Sequence, residues 1–224
     1  MNFIGDSVAR NHMESLLCLL LMEETPKDIY LMAKFLGAGL ERTHANQTGT
    51  GIYYLDIDKI DEQWANDLPN TDIAIVSACH WLFRPIYIHR GDEEIGCIFC
   101  NLPNITKWFK LVFSAAFKHI NGCHNCKDNL VTILRTFSPT YFENGTCNTG
   151  GACKRTIPLK FEVLDVTRVM LMRPDGHPNS YWGNKWMKGF NDCTHWCLPG
   201  PINAWSKFLM AILRQLRYLE DKKF

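Results

Sequence analysis

The sequence predicts an α/β fold, a three-layer α/β/α sandwich on a mostly parallel sheet, and three observations carry that expectation. Short apolar runs such as Ile73-Ala74-Ile75-Val76 and Leu130-Val131-Thr132-Ile133-Leu134 lack the alternation of half-exposed strands, as strands buried on both faces do. Amphipathic helical stretches separate them, the pattern that yields helices over a parallel sheet. At 224 residues the chain is long enough for one sizeable core, so a single domain over residues 1–224 is expected.

Residues 1–4 form the stub of a first strand, and Met13, Leu16, Leu17, Leu20 and Leu21 recur at helical spacing after it, predicting a helix over residues 8–22. Between strand and helix stands Gly5-Asp6-Ser7. Ser7 then sits at a helix N-terminus, where free backbone N–H groups favour developing negative charge, which makes it the candidate nucleophile. Cys18 rides on the helix, either as a small buried apolar residue or as a disulfide partner.

Gly37, Gly39, Gly49 and Gly51 punctuate the next segment, so residues 26–50 are expected to be loop and short helix. A short strand over residues 51–57 and a helical turn over residues 60–66 follow. Residues 72–77 read as a central parallel strand ending at Ala78-Cys79-His80-Trp81. Ligands gather at the C-terminal ends of strands in open α/β sheets, which raises the prospects of His80 as a substrate-facing residue against those of a structural histidine.

Cys97-Ile98-Phe99-Cys100 and Cys123-His124-Asn125-Cys126 flank an amphipathic helix over residues 107–120. Two Cys-x-x-Cys pairs suit a zinc site or two disulfides. Ten cysteines in one chain favour disulfides and the secretory pathway, and the sequons at Asn46, Asn104 and Asn144 agree. Metal sites are therefore not expected. A further strand at residues 130–134 leads into Arg135-Thr136-Phe137-Ser138-Pro139, and a Gly- and Asn-rich loop over residues 143–153 contains Asn148, either a turn residue or a polar group for a ligand. Residues 161–166 have strand-like composition.

Near the other end stands Asp192-Cys193-Thr194-His195. A serine hydroxyl is a poor nucleophile until a histidine accepts its proton, and that histidine needs a carboxylate to hold its tautomer and orientation. Asp192 and His195 supply both. His177, within Asp175-Gly176-His177-Pro178, competes as a base, but only His195 has an acid three residues ahead of it; Asp175 and His177 are read as loop braces. Pro199, Gly200 and Pro201 keep this stretch a loop. The final helix follows, with Asn203 as N-cap and Trp205, Phe208, Leu209, Ile212, Leu213, Leu216 and Leu219 as its apolar stripe.

An early Gly-Asp-Ser with a late Asp-x-x-His resembles the SGNH or GDSL hydrolases. Gly5-Asp6-Ser7-Val8-Ala9-Arg10-Asn11-His12, Arg135-Thr136-Phe137-Ser138-Pro139, Asn148-Thr149-Gly150-Gly151, Arg173-Pro174-Asp175-Gly176-His177-Pro178 and Asp192-Cys193-Thr194-His195-Trp196-Cys197 narrow it. Together they resemble the plant trichome-birefringence-like family, Golgi polysaccharide O-acetyltransferases with a PC-esterase domain, and most closely its xyloglucan-acetylating branch. The resemblance implies an SGNH-like sandwich and a triad of Ser7, His195 and Asp192. Gly5, Asp6, Arg10, His80 and Asn148 are then oxyanion or substrate-facing residues. It also implies a cell-wall polysaccharide acceptor and an acetyl donor, with acetyl-CoA a candidate, but no bound cofactor.

The resemblance further implies an N-terminal anchor and a cysteine-bearing segment upstream of Gly5, which a chain opening four residues before that glycine is expected to lack. It departs from the pattern in residues 26–50 and at Cys79, where the family has glycine. An acetylesterase using the same triad with water, and a remnant without activity, are the alternatives. With 24 Lys and Arg against 23 Asp and Glu there is no field to hold nucleic acid. The longest apolar run, Leu16 to Met22, is far short of the ~20 residues that a bilayer demands, so no membrane span is expected in this chain.

Overall fold

The computed structural model describes residues 1–20, 30–32, 35–77, 80–98, 105–138, 140, 142–145, 149–154, 166–183 and 189–221. The chain forms two compact units, Met1–Ala9 with Asp28–Arg135, and Arg10–Lys27 with Thr136–Phe224.

The first unit holds two four-stranded sheets. Strands β1 (Asn2–Gly5), β2 (Tyr30–Met32), β5 (Ile73–Ser77) and β8 (Val131–Leu134) form one of them in the order β2-β1-β5-β8, and every pair in it is parallel. β1 is buried along its whole length and β5 nearly so, which accounts for their unbroken apolar character. Register brings Gly5 opposite Ser77, so the two central strands end together.

The second sheet consists of β3 (Gly37–Thr43), β4 (Gly49–Ile60), β6 (Ile86–Arg90) and β7 (Glu93–Ile98), and it is mixed. β3–β4 and β6–β7 are antiparallel hairpins joined by a parallel β4–β6 pairing. The fold is thus α/β with one parallel and one mixed sheet, where a single mostly parallel sheet was expected. The loop and short helix expected over residues 26–50 give way to β2, β3 and the β3–β4 turn. The glycines read as breakers there are strand residues: a Cβ on Gly37 would meet the Asp56 carbonyl, and one on Gly39 the ring of Phe35. They permit close approach within the strands, and the ladder shifts register once beside them, between Gly37 and Ala38. At the hairpin tip Asn46 is exposed and its Oδ1 accepts from the amide and hydroxyl of Thr48.

Between the sheets' strands lie α2 (Glu62–Ala65), N-capped by Asp61, and α3 (Ile105–Asn121). Trp108, Val112, Ala116 and Ile120 make the buried stripe of α3, four residues apart, and join Leu55, Ile86 and Ile88 of the second sheet in one core. Gly96 on β7 lies against the Trp108 ring with no room for a side chain.

In the second unit run most of α1 (Ser7–Leu20), α4 (Val166–Leu171) and α5 (Asn203–Asp221). His12 stands edge-on to Trp205, and Ser15 donates to Asn203 Oδ1 while accepting from Ser206. The Asn203 carbonyl oxygen therefore serves α1 from within the first turn of α5. Trp205 and Leu209 are buried as expected, whereas Ile212 is 41% exposed. The strand-like stretch at residues 161–166 lies outside the described residues up to 165, and Val166 opens α4.

Candidate active site

Ser7 is the first residue of α1 and is half-buried. Its turn is fixed from below by two neighbours. A Cβ on Gly5 would run into the Ser77 carbonyl, so only glycine lets β1 end that close to β5. Asp6 is 3% exposed, and its carboxylate bridges two backbone segments. Oδ1 accepts from the Val8 amide at 3.0 Å, the capping bond that frees α1 to start at Ser7, and Oδ2 accepts from the His80 amide at 3.0 Å.

Burial pushes the Asp6 carboxyl up, but the His80 hydrogen bond and charge, the Arg135 guanidinium and the Val8 amide outweigh it and hold it down to about 2. Asp6 is therefore a buried anion. His80, whose ring Nδ1 is 3.7 Å from Asp6 Oδ2, opens a 3-10 turn, His80–Phe83, after β5. Arg135 leaves β8 and is itself 8% exposed; its amide bonds the Val76 carbonyl. Sequence reasoning passed over its role as the counter-cation of Asp6, although an arginine at the C-terminal end of a parallel strand is a recognisable signal; β8 itself is half-exposed, where a buried strand was expected.

The second unit carries the candidate acid–base pair, Asp192 and His195. His195 Nδ1 lies 2.8 Å from Asp192 Oδ2, and Asp192 Oδ1 accepts from the amides of Thr194 and His195 at 3.1 and 3.0 Å. One carboxylate thus shapes the turn with one oxygen and aligns the imidazole with the other. Burial raises the Asp192 pKa, yet the His195 hydrogen bond and charge, with the two amides, bring it below the usual carboxylate range. The carboxylate is 8% exposed at its side chain and the imidazole 32%, so the base reaches solvent while its orienting acid does not.

Several groups hold this turn. Cys193 is bridged to Cys153, and the backbones of Asn179 and Asp192 pair reciprocally at 2.9 Å. His177, buried beside Trp196 at 4.0 Å between ring centroids, bonds through Nδ1 to the His195 carbonyl at 2.6 Å. Asp175 is engaged by Arg173 through two bonds of 2.8 Å. Both residues brace the loop, as expected, and His177 is buried where His195 is partly exposed. Trp196 donates from its indole to Ser138 at 2.7 Å. The residue that sequence reasoning missed is Asn11 on α1: it accepts from the Trp196 amide at 2.8 Å and donates to the Trp196 carbonyl at 3.1 Å.

Arg10, the next turn of α1 after Ser7, is exposed. Asn148 and Cys79 lie outside the described residues. The cysteine readings resolve in part. Cys123 and Cys126 form a disulfide and Cys97 is disulfide-bonded, whereas Cys18 is an exposed free thiol and Cys197 a half-buried one, its pKa raised by burial and by the charges of Asp192 and Asp175. Cys193, bridged to Cys153, staples the Asp192 turn. No cluster of metal-binding groups occurs among the described residues, and no described helix is long and apolar enough to cross a membrane.

One unit holds a serine that opens a helix and the other a carboxylate-oriented histidine, and sequence comparison supplies the family. The PC-Esterase profile, described as a GDSL/SGNH-like acyl-esterase family found in Pmr5 and Cas1p, matches residues 1–36, 29–161 and 158–212. The chain belongs to this family. It is 58% identical to "xyloglucan O-acetyltransferase 2" of Arabidopsis thaliana over 97% of its length and 67% of the relative's. It is 45% identical to "Xyloglucan O-acetyltransferase 4" of Populus trichocarpa, over 96% of this chain and 64% of that protein, and 33% identical to "Protein trichome birefringence-like 20" of Arabidopsis thaliana, over 96% and 57%. The chain thus spans roughly two thirds of the length of the curated relatives it matches. The first break in the family match, at residues 29–36, falls inside the segment that departs from the family pattern. No solved structure matches the chain.

Proposed function

We propose that this PC-esterase is an O-acetyltransferase that moves acetyl groups onto hydroxyls of a neutral cell-wall polysaccharide, xyloglucan, through an acetyl-serine intermediate. The observation that carries the reading is the 58% identity to a xyloglucan O-acetyltransferase along nearly the whole chain. The oriented Asp192–His195 pair and the capped Ser7 support its chemistry. The chain is read as one catalytic domain of the α/β/α sandwich type.

In the first half-reaction Ser7 Oγ attacks the donor's acetyl carbonyl, its proton passes to His195, and the donor's leaving group departs with that proton. In the second, a sugar hydroxyl gives its proton to His195 as its oxygen attacks the acetyl carbon, and Ser7 Oγ leaves and regains the proton. Asp192 holds the imidazole tautomer and stabilises the imidazolium at both stages. Free N–H groups at the start of α1 suit the oxyanion, and Gly5 and Asp6 set the turn that presents Ser7. Arg10, His80 and Asn148 are proposed to face donor or acceptor. Acetyl-CoA is the candidate donor. The disulfides support an oxidising compartment, the Golgi lumen, with the exposed Asn46 sequon glycosylated there.

The test is incubation with acetyl-CoA and a panel of wall oligosaccharides, read by mass spectrometry. Acetylated xyloglucan fragments and an acetyl adduct on Ser7 are the expected products, and Ser7→Ala should lose both. An alanine variant that acetylates sugars at the unmutated rate refutes the assignment. The family's description as acyl-esterases favours a second reading, hydrolysis. Release of free acetate without acetylated sugar would select it.

A further inference from the structure

The outer face of the second sheet carries a row of side chains that the catalytic chemistry does not use. Leu40, Tyr54 and Tyr87 stand in register on β3, β4 and β6. The two tyrosine rings stack at 5.7 Å with an interplanar angle of 28°, and Leu40 beside them is 71% exposed. In the next row, Asp56 pairs in register with His89, whose ring meets Tyr54 edge-on at 5.5 Å.

A cross-strand aromatic pair of this kind stabilises any sheet, and by itself it asks for no ligand. Three further features do. A hollow of about 280 Å³ opens beside Tyr54, bounded by Leu40, Tyr54, Asp56 and His89. His89 Nε2 is enclosed with no hydrogen-bond partner among the described residues, a group a ligand hydroxyl would satisfy. The two cations of the face are already paired, Lys59 with Asp56 at 3.3 Å and Arg90 with Asp58 at 3.6 Å, so it offers no free cation to an anionic ligand among these groups. Such a face offers apolar rings and polar atoms. It complements an uncharged chain of sugars, whose rings present C–H faces to aromatic planes and hydroxyls to the rim.

The hollow has a neighbour along β3. Across Ala38 and Gly39, where side chains are smallest, it shares Lys59 with a second hollow of about 680 Å³ floored by Phe35 and Tyr53. Phe35 and Tyr53 in turn pack edge-on around Trp81, the residue after His80, at 5.9 and 5.4 Å.

We infer that this face is a binding track for a neutral β-linked glucan chain, holding the acceptor polymer at residues beyond the one being acetylated, with Tyr54 and Tyr87 as its stacking platform. The choice of polymer rests on the xyloglucan reading above; the existence of the track does not depend on turnover. The experiment is affinity electrophoresis of the inert Ser7→Ala protein through gels containing xyloglucan, de-esterified pectin or no polysaccharide. Retardation by xyloglucan and not by the anionic polymer is expected. Tyr54→Ala or Tyr87→Ala in that background should weaken it by about tenfold or more, as loss of an anchoring aromatic does. Thermal melts establish that the variants are folded, and Tyr87→Thr, which keeps a strand-forming residue, replaces any that is not. Folded variants retarded as strongly as their parent overturn the inference, as does a parent retarded equally by pectin or by neither polymer. Were the unmutated protein to lack transferase activity while the tyrosine variants lost retention, the track would stand and the catalytic reading would fall.

Discussion

Asn11 grips Trp196 by both ends of its peptide unit, accepting from the amide and donating to the carbonyl across 185 positions of sequence. Asn11 is 6% exposed, so neither bond is shared with water. The helix that Ser7 opens thereby holds the residue that follows His195. Asn11→Ala leaves a buried amide and carbonyl without partners, at a cost of about 1–3 kcal/mol each way of counting the pair. Differential scanning fluorimetry should show a lower melting temperature, and transfer should fall more than the stability loss explains. Asn11→Asp should be worse, since a carboxylate can accept from the amide but repels the carbonyl. An Asn11→Asp protein as stable as the unmutated one would contradict this account.

Asp6 makes stability depend on acid in a stated window. Its folded pKa of about 2 lies below its ordinary value of 3.8, so it binds protons more weakly when folded. The stabilisation is fully present above pH 4 and is lost as pH falls from there toward 2, amounting to about 2 kcal/mol for a shift of this size. Asp6→Asn removes the titrating group. Denaturant melts of the two proteins should therefore differ most near pH 5 and converge toward pH 2. A constant gap across that range would show that Asp6 titrates as it does in the unfolded chain.

The two completely described disulfides should not matter equally. Cys153–Cys193 closes a loop with a sequence separation of 40, against 3 for Cys123–Cys126. Chain entropy assigns about 4 kcal/mol to the longer and under about 2 kcal/mol to the shorter. Cys153→Ser should lower the melting temperature well below that of Cys123→Ser, and it should reduce turnover as well, because Cys193 adjoins Asp192. Equal melting temperatures for the two variants would remove the loop-closure argument.

The parts of the site that were legible in sequence are the local ones. Gly5-Asp6-Ser7 and Asp192-x-x-His195 are short enough for a turn to bring acid, base and amides together, so residue type and spacing announce the chemistry. The partners of Asn11 and Asp6 lie far along the chain, at Trp196 and at His80 and Arg135, and no local pattern points to them. The same division holds for the fold. β1, β5, β8, α3 and α5 declare themselves by apolar runs or helical spacing. β3 hides behind Gly37 and Gly39, which read as breakers until Asp56 and Phe35 are seen pressed against them. β6 and β7 had a usable signal that was passed over: Ile86 and Ile88 alternate with polar residues ahead of Gly91, whose φ of 58° makes the turn.

Two histidines stand on the loop that ends the site, and replacing each separates base from brace. His177 is 6% exposed and spends Nδ1 on the His195 carbonyl, while its ring covers Trp196. His195 is accessible and spends Nδ1 on a carboxylate. A base must accept a proton from a hydroxyl in the reacting complex and needs a fixed tautomer, conditions that His195 with Asp192 meets. His195→Gln should therefore abolish transfer with little change in melting temperature. His177→Gln should lower the melting temperature while leaving measurable transfer. Asp192→Asn should keep Ser7 and His195 present but lower kcat by up to about 10⁴-fold, because an amide can favour the wrong imidazole tautomer. Rates at saturating acceptor, measured beside melts of the same preparations, decide the matter. Transfer that survives His195→Gln and vanishes in a well-folded His177→Gln protein would exchange the two roles.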